Sequence, residues 1–167
     1  MNITKKQLIE LVNDIRGKID LSVIDSEKSG GASTSKELGT NQFRSLADAC
    51  RAAETYDEIR LLIQYKTAKD DKDKRSGMGK SWSREYKNYG TIGDVIISEL
   101  DKIQDLCGGD GRETLEAMRL FFGYLYQSAR VWSLESAAKD NRNNSNGGNR
   151  NNYGNNTIKK INPNKRW

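Results

Sequence analysis

A chain of 167 residues, 35% hydrophobic and 31% charged, has room for one domain with a modest core. Histidine is absent, which removes the usual near-neutral acid–base group and the commonest metal ligand. The formal charge of +5 is unevenly placed: residues 139–167 hold seven Lys/Arg against one acidic side chain, and residues 64–90 hold eight against four. Localised positive charge of this kind suits phosphate backbones or another anionic surface.

The first helix is announced by Thr4 and Gln7, a capping-box pair, with Leu8, Leu11, Val12, Ile15 and Ile19 at helical spacing. Gly17 is expected to end it early. Residues 25–38, with Gly30-Gly31 and five Ser/Thr, read as a flexible connection. A second helix is predicted from an N-cap at Thr40, with Phe43, Leu46, Ala47, Cys50 and Ala53 on one stripe. A third begins near Tyr56 and carries Ile59, Leu62, Ile63 and Lys66 on one face; from Asp70 to Gly90 the periodicity disappears. The fourth spans Ile92 to Cys107 on Ile92, Val95, Ile96, Leu100 and Ile103, and Gly108-Gly109 stops it. The fifth, after a cap at Asp110, sets Leu115, Met118, Phe122, Leu125, Ala129 and Trp132 three and four apart. Phe121, Tyr124, Val131 and Leu134 lie off that seam, as expected of a helix central to a bundle or docked on a partner.

No segment has a strand period, and the only proline is Pro163. The fold expected is therefore all-α, a compact bundle of about five helices over residues 1–138. From Lys139 the composition changes: eleven of the last 29 residues are Asn, with basic residues between them. Residues 139–167 are expected to be a disordered, Asn/Gly-rich basic tail, because such a segment buries too little apolar surface to offset its ordering entropy. The first residues lack the apolar run of a signal peptide, and no stretch reaches membrane-spanning length, so a cytoplasmic protein with no membrane partner is expected.

Several motifs fail on their chemistry. Gly79-Lys80-Ser81 resembles the end of a phosphate-binding loop, but Lys74 stands where that loop requires glycine. Asp70, Asp71 and Asp73 alternate with Lys69, Lys72, Lys74 and Arg75, which would pair with the carboxylates and repel a divalent cation. Residues 108–112, Gly-Gly-Asp-Gly-Arg, read as a helix–helix turn, since Asp110 would oppose an anion held there. Cys50 and Cys107 match no metal-binding spacing and fall on apolar helix faces, so both are expected to be core thiols. With no catalytic constellation, no metal and no cofactor in view, an enzyme is not expected.

The basic segment reads differently. Lys66 and Lys69, three apart, share a side of the third helix, and Lys72, Lys74, Arg75, Lys80, Arg84 and Lys87 follow. Trp82, Tyr86 and Tyr89 are interspersed and could stack on unpaired bases, and cations interleaved with aromatics equip a protein for single-stranded nucleic acid. The alternative is that the aromatics belong to the core and the lysines are merely solvated.

Thr40, Asn41, Gln42, Phe43 and Arg44 followed by Leu46, then Ile63, Tyr65, Ala68 and Lys69, then Phe121, Phe122, Tyr124, Tyr126 and Arg130, occur in a familiar order. Together they resemble the small-subunit family of type III-A CRISPR effector complexes over roughly residues 38–132; Phe43 stands where that family carries a small aliphatic residue, and the Asn-rich tail has no counterpart. The resemblance implies a helical bundle without nuclease activity. Copies would pack head to tail beside the backbone and large subunits, along guide and target RNA. It implies RNA-backbone contacts at Arg44, Lys66, Lys69 and Arg130; Lys74, Arg75 and Lys80 join them from local charge alone. Two other readings stand beside it: a helical adaptor whose fifth helix docks a protein in another ribonucleoprotein, and a DNA-binding regulator. Asp57 and Glu58 weigh against the last, because they leave the third helix's first turns acidic.

Overall fold

A computed structural model describes residues 3–19, 41–74, 82–109 and 111–145, and the side chains of 71–74, 133 and 136–145 are not among the described features. Within these residues the fold is all-α: α1 (Lys5–Lys18), α2 (Asn41–Ala52), α3 (Tyr56–Lys74), α4 (Ile92–Cys107) and α5 (Arg112–Ser145). A ribbon of two short strands, β1 (Glu85–Tyr86) and β2 (Gly90–Thr91), lies between α3 and α4. None of these helices is long and apolar enough to cross a membrane.

α1 starts where the capping box places it, with Thr4 accepting from the Gln7 amide and the Gln7 side chain returning to the Thr4 N–H. Gly17 does not end it; the helix continues to Lys18, so one glycine's cost is absorbed at its solvent side. α4 opens on a second capping box, Thr91 with Asp94, and closes on Gly108 in the left-handed conformation. Thr40 and Asp110, the expected caps of α2 and α5, and the connection at 25–38 lie outside the described residues.

α5 organises the core. Leu115, Met118, Phe122, Leu125, Ala129 and Trp132 are buried as their spacing predicts, and Ala117 and Phe121 widen the buried face. α2 packs most extensively on it, and α1 and α4 also lean against it. Arg112 at the start of α5 donates to the Arg51 carbonyl at the end of α2, so the two helices run antiparallel. α3 packs mainly on α4, also antiparallel, since Thr67 meets Gly93 while Tyr56 and Arg60 reach Asp101. α5 outlasts the compositional break at Lys139, extending to Ser145; residues 146–167 lie outside the described set.

Two polar ties fasten α1. Glu99 of α4, fully buried, is held by Lys18 and by Lys102, whose ammonium lies 3.0 Å from both carboxylate oxygens. A buried carboxylate is tolerated only with such partners. Arg16 bonds Glu135 at 2.8 Å and lies 5.2 Å from the centre of the Trp132 ring, tying α1 to the later part of α5.

Two outcomes follow from this packing. A Cβ at Gly93 would stand 2.1 Å from Thr67 Oγ1 and 3.2 Å from Thr67 Cβ. Gly93→Ala should therefore destabilise the fold by about 1–3 kcal/mol in urea melts. Combining it with Thr67→Ala should recover part of that loss; strict additivity of the two changes would contradict the contact. The hydrogen bond it donates to Glu99 holds the Lys18 ammonium above the ordinary lysine range, outweighing its partial burial. A raised folded-state value contributes stability that is complete below the unfolded lysine pKa and is lost as pH rises through the folded one. Urea midpoints should thus fall on the alkaline side of pH 10. Lys18→Met should flatten part of that slope, while Tyr56, pushed up by burial and Asp101, keeps the remainder.

Candidate nucleic-acid interface

Of the segment 64–90, where the sequence concentrates positive charge, residues 64–74 complete α3 and residues 82–90 are pinned to one end of the bundle. Their anchor is Trp82, which is buried and meets Phe43 of α2 edge to face, with ring centroids 6.4 Å apart. The Trp82 carbonyl accepts from the Gly93 amide at 3.2 Å, and the Arg84 carbonyl from Ile92 at 3.1 Å, so the chain entering α4 is clamped at its first turn. Asp70 adds a third tie: one carboxylate oxygen accepts from both the amide and the hydroxyl of Ser83 at 2.9 Å.

These contacts correct the expectation for the aromatics. Trp82 is a core residue and offers no face to a base, because an indole of this size against Phe43 is worth more buried than exposed. Tyr86 is half-buried, and of the three only Tyr89 remains exposed. The loss of helical period after Asp70 also does not end α3, which runs to Lys74. The strands, absent from the expected pattern, pair Glu85 with Thr91 and Tyr86 with Gly90 around a turn in which Asn88 adopts a φ of 81°. Two-residue strands leave no period to read; Asn and Gly at the positive-φ positions are their sequence trace.

The predicted basic residues fall into separate places. Lys66 is half-buried on α3 and donates to Gln42 Oε1 of α2 at 3.1 Å, which leaves two of its ammonium donors for other acceptors. Lys69 is exposed one turn further on, at the same end of the bundle as the exposed Lys87 of the β-turn. Arg44 is exposed on α2, but two residues from Gln42 is a rotation of roughly 200° around a helix. It therefore lies on the flank away from Lys66. Arg130 belongs to α5, where its guanidinium donates to the Tyr126 hydroxyl at 3.2 Å and lies 5.9 Å from that ring's centre. Lys74 is the last residue of α3, with its side chain not described; Arg75 and Lys80 lie outside the described residues. Lys66 and Lys69 thus lie on adjoining flanks of α3, and Arg44 and Arg130 do not adjoin them through any described hydrogen bond.

In the sequence Tyr65 stands out only as part of the Ile63–Lys69 motif. It is 61% exposed on α3, one residue from Lys66 and one turn before Lys69, and Leu61, one turn earlier, is 66% exposed. The signal that could have found it is its place on the wheel, opposite the buried Tyr56, Ile59 and Ile63. Cys50 is buried, its thiol pushed up to about 12 by desolvation, and burial also raises half-buried Cys107. Among the described residues no three Cys, Asp or Glu side chains converge as a metal ion would require.

No protein-family model, curated protein or solved structure matches the chain.

Cys50 reports on the packing of α2 against α5. Alkylation by iodoacetamide at pH 8, followed by peptide mass mapping, should leave Cys50 unmodified in the native protein and modify it fully in 6 M guanidinium. Rapid native labelling at Cys50 would mean that α2 does not sit on α5 as described.

Proposed function

We propose that the chain is a non-catalytic small subunit of a type III CRISPR RNA-guided interference complex. In this reading it holds the backbone of guide or target RNA through basic side chains and packs head to tail with copies of itself along the backbone and large subunits. The observation that carries the RNA-binding part is the cationic end of the bundle, where Lys66 and Lys69 stand beside the Trp82-anchored segment bearing Lys87. Phosphates need cations on a rigid support and no particular base contact, while pairing to a guide would supply sequence discrimination. Membership of that complex rests on the Thr40–Leu46, Ile63–Lys69 and Phe121–Arg130 resemblances.

A second reading has its own observation. On α5, Val131 and Leu134 are exposed, Leu134 to 70%, and two such side chains three residues apart fit a protein contact. This suits neighbouring copies in an assembly and equally a helical adaptor in another ribonucleoprotein.

The test is RNA affinity of the full chain against salt. Lys66→Glu with Lys69→Glu should weaken binding to single-stranded RNA at least about tenfold. It should also make the slope of log affinity against log salt shallower by about 1.4, as expected for two lost phosphate contacts. Unchanged affinity in the double variant would remove this site from the proposal. Deleting residues 139–167 should retain part of the binding; complete loss would assign it to the tail.

A further inference from the structure

We propose that Tyr65 is a stacking platform for an unpaired RNA base, with Lys69 and Lys66 holding the adjoining phosphates. This deepens the RNA-binding reading above and rests on it.

Burial of Trp82 removes one ring from the cationic end of the bundle. Of the three aromatics expected to stack on bases, Trp82 is spent on the core, Tyr86 is half-buried and Tyr89 stays exposed, and the same cationic end exposes a further ring on α3 itself. Tyr65 is 61% exposed, although an ordinary helix would gain by covering it. Its one-turn neighbours are Leu61 before and Lys69 after, and side chains four apart on a helix are neighbours roughly 5–6 Å apart at Cβ. That spacing lets a base lie on the ring while its own phosphate reaches the Lys69 ammonium. Lys66, on the next flank, is steadied by Gln42 and so presents its charge at low entropic cost.

Along α3 no acid stands within one turn of Tyr65, and Asp70, just beyond Lys69, is bonded to Ser83. Glu58 accepts from the Glu54 and Thr55 amides at the start of α3, and the exposed Asp57 lies two turns before Tyr65. What remains around Tyr65 is cationic and half apolar. A protein partner is the other occupant such a face could take. The apolar part here, however, is two side chains, far short of the ~800 Å² per partner that stable interfaces bury, whereas a single base needs no more than one ring.

The experiment uses the full chain and oligouridylate carrying one 2-aminopurine. Binding to the wild type should change the 2-aminopurine emission. Tyr65→Ala should abolish that change and weaken affinity about tenfold or more with the salt slope intact, since stacking releases no counterions. Tyr65→Phe should keep both signals, because it keeps the π face. If Tyr65→Ala binds and reports like wild type while the Lys66/Lys69 double variant has lost affinity, the stacking assignment is wrong and the phosphate site stands. If wild type binds no RNA, both fall. If Leu61→Ala and Tyr65→Ala instead change only the sedimenting mass, the face is a protein contact and the assignment is overturned.

Discussion

The edge-to-face contact between Trp82 and Phe43 is the constraint on which this end of the molecule depends. Residues 64–90 are rich in Lys, Asp, Gly and Ser, a composition that cannot order itself by burial. One large ring supplies what the rest lacks, and placing it against α2 fixes where the chain re-enters the fold. From that point the Trp82 and Arg84 carbonyl bonds, the β1–β2 pairing and the Thr91–Asp94 box all follow before the end of the first turn of α4. Residues 82–90 are thereby held against a rigid surface, which a free linker with the same charge would not be.

The second organising feature is α5, and its role was legible. Its buried seam follows the three-and-four spacing residue for residue, and the extra apolar positions are explained by the neighbours it serves. Phe121 is buried because α5 must cover more than one partner; Val131 and Leu134 are exposed because that part of the helix turns them outward. Periodicity states that these residues are apolar on two faces. It does not state which face a neighbour fills, because that is decided by the antiparallel placement of α2, a long-range choice with no local signature.

The same division explains the candidate site. Helix existence, the α1 cap and the α4 stop were readable because each depends on residues within four positions. The close approach of Gly93 to Thr67, the hold of Lys66 on Gln42 and the Asp70–Ser83 bond join distant positions, and nothing nearby encodes them. Arg44 illustrates the consequence. Its type and motif position matched Lys66 and Lys69, yet a rotation of two residues carries it to the other flank of α2. Composition can say that cations are abundant, while only packing says which of them face one ligand.

This also resolves how a body that is nearly neutral over residues 1–138 can present a positive end. Its carboxylates are not evenly idle. Asp94 bonds the Thr91 amide and hydroxyl at the start of α4, where the helix's own positive pole offsets its charge. Asp70 is directed at Ser83, and Asp101 at Tyr56 and Arg60. Glu99 is sealed between two lysines. These four acids are engaged in holding elements together, and the Lys69 and Lys87 side chains are left exposed. Net charge counts all of them alike; an approaching phosphate samples the outward ones most strongly, because its interaction with inward, partnered charges is already offset by their partners.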